Sequence, residues 1–181
     1  MLFRSQLRTV PEGYRTITGV DLGTRESKTS DLTVLFTICV HPDGSREVLW
    51  IESGRWTAPD IVQKIKETHE RYDSLVLVES NAAQDFIRQF ITRESAIPIL
   101  PFDTRAKNKL HPIYGVEGLG VEFYNQKWII PNQGGQVVPE VAYWIAEMLQ
   151  YRPDAHTGDR LMASWFAREG ARHPPRPIRS R

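Results

Sequence analysis

Residues 14–21, Tyr-Arg-Thr-Ile-Thr-Gly-Val-Asp, decide how this chain is read. Ile17 and Val20 are β-branched, and Thr16 and Thr18 suit a pleated surface, so the stretch predicts a β-strand. Gly19, near its end, allows a close approach of another element or a bulge. The strand stops on Asp21, ahead of the loop Leu22-Gly23-Thr24. A carboxylate at the end of a buried strand is costly unless something compensates its charge, and a metal cation is the natural candidate.

The flanking sequence builds a sheet around this strand. Leu22–Ser30 reads as a polar loop carrying Arg25 and Lys28. Leu32–Val40 is almost continuously apolar and predicts a central strand. His41–Ser45 is a turn by composition, and Arg46–Glu52 a third strand, so these elements form an antiparallel meander. Thr57-Ala58-Pro59-Asp60 carries a helix start: a capping threonine, a proline in the first turn and an acid three residues after the cap. That helix ends near Tyr72-Asp73, and Ser74–Glu79 is a short strand, apolar until its last residue. Strand–helix–strand order predicts parallel pairing with the first strand. A helix follows over Ala82–Arg93, then a strand over Ile97–Phe102, whose two prolines predict an edge position. Val121–Pro131 reads as a hairpin turning at Asn125-Gln126, and Val138–Tyr151 and Asp159–Glu169 as helices. The expected fold is α/β: a central mixed five-stranded sheet flanked by helices, with an added β-hairpin. Residues 1–13 read as a lead-in, 14–169 as one domain and 170–181 as a disordered basic tail.

Composition sets limits. A chain of 181 residues with formal net charge +1 fits one domain, and its overall charge does not announce a nucleic-acid partner. The single cysteine, Cys39, excludes an intramolecular disulfide and a cysteine zinc cluster; its apolar setting predicts a buried thiol. No apolar run approaches ~20 residues, so no membrane span is expected. The first residues lack a signal-peptide core, which predicts an intracellular protein.

The chemistry rests on three acids at element ends: Asp21, Glu79 and Asp159. Asp159 follows the helix-breaking Gly158, and Met162, Ala163 and Phe166 share its helix face, which directs it toward the sheet. If the first and fourth strands are neighbours, Asp21 and Glu79 lie side by side and Asp159 closes the group. Three converging acids repel one another unless a cation sits between them. Oxygen donors of this kind suit Mg²⁺ or Mn²⁺, and two such ions about 4 Å apart serve in-line phosphoryl displacement. Each acid also has a structural reading: Asp21 as a turn former, Glu79 as an ordinary strand end, Asp159 as a helix-start acid favoured by the dipole.

At these residues the chain resembles the nuclease domain of the large terminase subunit of tailed bacteriophages. The resemblance spans roughly residues 14–168 and is carried by GVDLGTRESKTSDLTVLF, LVLVESNAAQDFI, TRAKNK at 104–109 and Thr157-Gly158-Asp159-Arg160-Leu161-Met162. It implies an RNase H-like fold, with Asp21, Glu79 and Asp159 as catalytic ligands of two Mg²⁺ or Mn²⁺ ions. It further implies an endonuclease that cuts concatemeric viral double-stranded DNA during packaging, in the cytoplasm of an infected bacterium. The partners implied are an ATPase motor domain, for which the chain holds no Gly-rich phosphate loop, and a portal or small terminase subunit. The chain departs from the family at one point. The family often has His-Asp-Asp where this sequence has Thr-Gly-Asp, and His156 stands one residue further upstream.

Other residues have two readings. Asp31 can reach the acids or cap the preceding loop, and His156 can assist leaving-group departure or sit in solvent. Arg105, Lys107, Asn108 and Lys109, with Arg25 and Lys28, are candidates for phosphate contacts. Arg168, Arg172, Arg176, Arg179 and Arg181 read as tail arginines that bind DNA, bind a packaging protein or solubilise the tail. Trp128 and Trp144 read as core. Three rival functions remain open. GVDLGT resembles the phosphate loop of actin-like and Hsp70-like ATPases, a Holliday-junction resolvase shares the fold class, and the missing aspartate suits a DNA-docking module without catalysis.

Overall fold

Strand β1 (Arg15–Asp21) pairs antiparallel with β2 (Thr33–Val40), which pairs antiparallel with β3 (Arg46–Gly54). On the other side of β1 lies β4 (Leu75–Glu79), parallel to it, and then β5 (Ile99–Phe102), parallel to β4. A short sixth strand, β6 (Trp128–Ile129), runs parallel to β3 at the far edge. The sheet is thus mixed and six-stranded in the order β5-β4-β1-β2-β3-β6, with β1 and β2 inside it. This computed structural model describes residues 13–23, 32–79, 97–102, 104 and 109–172. The expected helix over 82–93, the lead-in up to 12 and residues 173–181 of the expected tail lie outside the described residues, whereas residues 170–172, also assigned to that tail, are corrected to the end of the last helix.

The meander, the parallel β1–β4 pair and the edge position of β5 match the sequence expectation. Helix α1 (Ala58–Tyr72) makes the crossover, and its start is the anticipated capping box: Thr57 and Asp60 bond reciprocally, with Pro59 in the first turn. Ile61, Val62 and Ile65 of α1 cover one face of the sheet, against Val20, Leu35, Val76 and Val78. Thr16 and Thr18 are buried and satisfied. Thr16 donates to the Tyr72 carbonyl, and Thr18 shares hydrogen bonds with Thr37 and Ser74. Cys39 is buried as expected, and burial together with the Glu47 charge pushes its thiol up to about 11.

The hairpin expected over Val121–Pro131 is corrected. Its first arm is helical: α2 runs Glu117–Tyr124 and ends where the hairpin turn was placed, at Asn125-Gln126. Only Trp128–Ile129 is extended, and it joins β3 rather than a hairpin partner. The alternation in Val-Glu-Phe-Tyr suggests a strand, but Leu119 and Phe123, one helical turn apart, both pack on the core. Helix α3 (Pro139–Gln150) and helix α4 (Asp159–Arg172) are the last elements among the described residues.

Helix α4 lies on the sheet face opposite α1 and is buried almost throughout, from Arg160 to Arg168. Trp144, Trp165, Phe166 and Phe36 fill the core beside it. The reading of Arg168 as a tail arginine is also corrected. It is buried in α4, bonds Glu122 and Glu169, and donates to the carbonyls of Ile113 and Tyr114. It anchors the segment before α2 to α4, because a buried guanidinium needs every donor occupied. No helix of the described residues is long and apolar enough to cross a membrane.

Candidate active site

The register of the sheet places Asp21 and Glu79. Val20 is opposite Val78 in the parallel β1–β4 pair, and Asp21 and Glu79 are the next residue of each strand. Neighbouring strands lie about 4.8 Å apart, so the two backbones present their acids side by side. Asp21 also pairs with Val34, which pairs with Ser53, while Glu79 pairs with Phe102. One rung of the sheet therefore reads Ser53, Val34, Asp21, Glu79, Phe102.

Side-chain alternation sets the face. A Cβ on Gly19 would overlap the Ala163 carbonyl and stand 2.5 Å from the Ala167 amide, so Gly19 faces α4 directly. A Cβ on Gly170 of the same helix would meet Ile17 and Leu77. Asp21 is two residues beyond Gly19 and Glu79 two beyond Leu77, so both acids project on the α4 side. Asp159 opens α4 at that end of the sheet, and its Oδ2 accepts from the Leu32 amide at 2.7 Å, just ahead of β2. The backbone thus sets all three acids at one end of one sheet face.

As the side chains stand, no group of three or more His, Cys, Asp and Glu among the described residues could hold a metal ion. Glu79 Oε1 accepts a hydrogen bond from Thr104 Oγ1, and Asp159 Oδ2 is turned to Leu32. The donor chemistry still fits a hard divalent cation, since all three candidates are carboxylates. A hydrogen bond at one carboxylate oxygen is compatible with ligation at the other, and ligating carboxylates are ordinarily bonded in this way.

Thr104 belongs to the TRAKNK stretch read only as basic. It lies two residues beyond Phe102, the partner of Glu79 across β4–β5, which is why it reaches that carboxylate. Lys109 is partly buried, and its carbonyl accepts from the Val116 amide at 3.0 Å. His156 is exposed in the connection between α3 and α4. Arg25, Lys28, Asp31, Arg105, Lys107 and Asn108 lie outside the described residues.

Beside Asp159 the structure holds an ionic cluster that sequence reasoning missed. Arg160 is buried, and its Nε donates to Glu140 Oε2 at 2.8 Å, its Nη1 to Glu147 Oε1 at 3.0 Å and its Nη2 to Ser53 Oγ at 2.9 Å. Ser53 in turn donates to Glu140 Oε2 at 2.9 Å. Glu147 Oε2 accepts from the Leu161 amide at 2.8 Å, satisfying a donor in the first turn of α4. Burial raises the Glu147 carboxyl above its ordinary range, the Leu161 amide and Arg160 oppose this, and the charge of Asp159 adds to the rise. The available signal was Glu140 and Glu147, seven residues and two turns apart on one helix face.

The Thr-Gly-Asp departure has a structural counterpart. A Cβ on Gly158 would run into the Glu147 side chain, 2.5 Å from its Cγ and Cδ. The space in front of position 158 is filled by the carboxylate of α3.

The sequence matches no protein-family model and no curated protein. Among solved structures, it is similar to the large terminase nuclease from thermophilic phage G20c, at TM-score 0.64 and 15% identity, over 93% of this chain and 92% of that one. It is also similar to Thermus thermophilus RuvC at TM-score 0.47 and 15% identity, over 84% and 91% of the two chains. The fowlpox virus Holliday junction resolvase gives TM-score 0.48 at 11% identity, over 86% and 97%. The likeness to the terminase nuclease spans nearly all of both chains, and with it the architecture expected from the motifs is established: this chain has the RNase H-like fold.

Proposed function

We propose that this chain is a divalent-metal-dependent DNA endonuclease, acting in the manner of a terminase nuclease on concatemeric viral double-stranded DNA during packaging. The observation that carries the reading is the common position of Asp21, Glu79 and Asp159 at one end of the α4 face. The fold likeness supports it.

In this reading Asp21, Glu79 and Asp159 hold one or two Mg²⁺ or Mn²⁺ ions. When bound, such ions supply a water of lowered pKa and offset charge at the phosphate and leaving oxygen. The chain's own contribution is placement. Asp21 and Glu79 are fixed by a central parallel strand pair, and Thr104 orients Glu79. Lys109, with Arg25, Lys28, Arg105, Lys107 and Asn108, would hold phosphates, a sequence-independent and salt-sensitive contribution. His156, exposed beside the helix start, is the candidate for protonating the leaving group. An ATPase motor domain and a portal or small terminase subunit are the proposed partners, and the host cytoplasm the proposed location.

The test is supercoiled plasmid incubated with the protein and Mn²⁺, Mg²⁺ or EDTA. Nicking and linearisation that require the metal are expected. No cleavage with either ion sinks the reading, and ATP turnover would favour the phosphate-loop rival. A second expectation concerns stability. At a hundredfold excess over Kd, Mn²⁺ bound only by the folded state adds about 2.7 kcal/mol, a rise of roughly 5–10 °C in Tm for a chain of this size. Scanning calorimetry with and without Mn²⁺ checks this, and an unchanged Tm at saturation counts against an ion site.

A further inference from the structure

We infer that Arg160, gripped by Glu140, Glu147 and Ser53, is a positioning residue that sets the Asp159 carboxylate over the strand ends. The inference rests on the reading of Asp159 as an ion ligand. Arg160 follows Asp159 directly, so holding its guanidinium restrains the backbone that carries the acid. An aspartate has only two side-chain torsions, and its carboxylate follows that backbone closely.

The cluster ties α4 to the sheet at the level of the site. Ser53, which accepts from Arg160, stands on the rung that continues through Val34 to Asp21. Glu140 and Glu147 bind the same guanidinium from α3, so the start of α4 is braced from the sheet and from a neighbouring helix at once. The planar fork of arginine fixes direction as well as distance, which a lysine ammonium does not. Glu147 also holds the Leu161 amide, and Gly158 leaves room for it. On the other flank of the helix start, Asp159 accepts from Leu32. A partly buried ionic cluster is a poor source of stability but a good source of fixed geometry. Its place next to a proposed ligand is where fixed geometry matters.

The test uses the metal-free protein and Mn²⁺ alone. Arg160→Met combined with Glu140→Gln and Glu147→Gln removes the charges together, so none is left buried and unpaired. Arg160→Lys keeps the charge and loses the fork. Titration calorimetry should show Mn²⁺ affinity lowered about tenfold or more in the triple variant and lowered in Arg160→Lys. Hydrogen exchange at the Leu32 amide should speed up in both without metal, while the melting temperature of Arg160→Lys stays near the wild type. Unchanged Mn²⁺ affinity in the folded triple variant overturns the inference. If the triple variant does not fold, unchanged affinity in Arg160→Lys overturns it alone. Asp21→Asn, titrated alongside, separates the two levels. If it too binds Mn²⁺ like the wild type, the ion site falls and the inference with it. If it loses Mn²⁺ while the Arg160 variants keep it, only the positioning role is lost.

Discussion

Asp21→Asn, Glu79→Gln and Asp159→Asn are each expected to abolish plasmid cleavage while leaving the fold in place. Each change removes a negative charge and keeps the shape of the side chain. Glutamine at 79 still offers an oxygen to Thr104, and asparagine at 159 still offers one to the Leu32 amide. The sheet around them loses no packing, since Val20, Val78 and Leu35 bury the opposite face against α1. What is lost is a hard anionic ligand, and with it the neutralisation that holds a divalent ion. The fall in rate should exceed the roughly hundredfold cost of losing an outer partner of a metal ligand. Cleavage assays in Mn²⁺, paired with circular dichroism and thermal melting, check both halves. Retained activity in any one variant would remove that residue from the site.

Gly19→Val should damage the protein at a different level. The glycine sits where α4 crosses β1, and any Cβ there would overlap the Ala163 carbonyl and crowd the Ala167 amide and Phe166 Cβ. These are backbone atoms and a buried ring stem, not the movable end of a long side chain. The helix must therefore lift off the strand. Overpacking costs up to about 3 kcal/mol where a core can adjust, and here the helix that must shift also carries Asp159. Chemical denaturation should show a loss of about 3 kcal/mol or more, and Mn²⁺ affinity should fall with it. A Gly19→Val protein of wild-type stability would contradict the close crossing.

What holds the candidate site differs from what would constitute it. Asp21 and Glu79 are placed by hydrogen-bonded register between strands, which is stiff and independent of side-chain chemistry. Asp159 is placed by helix packing. Its position depends on Gly19 beneath the helix and on the Arg160 cluster at its start. The third acid is the one whose placement other substitutions can disturb.

Much of this was written in local sequence, because its cause is local. The apolar run of β2, the capping box at Thr57 and the strand stopping on Asp21 follow from nearby residues and hydrophobic period. Parallel pairing of β1 with β4 follows from the crossover helix, and the three acids could be named from where elements end. The sequence by itself therefore determined the sheet order around β1 and the identity of the candidate ligands. Only the tertiary structure decided that Leu119 and Phe123 make a helix of the expected hairpin arm, since the competing alternation was locally as good. It also turned Arg168 from a tail residue into a buried anchor, and joined Ser53, Glu140, Glu147 and Arg160, which are up to 107 residues apart along the chain. A buried charge can be read as structural only once its partners are known. Those partners come from strands and helices whose meeting no local pattern encodes.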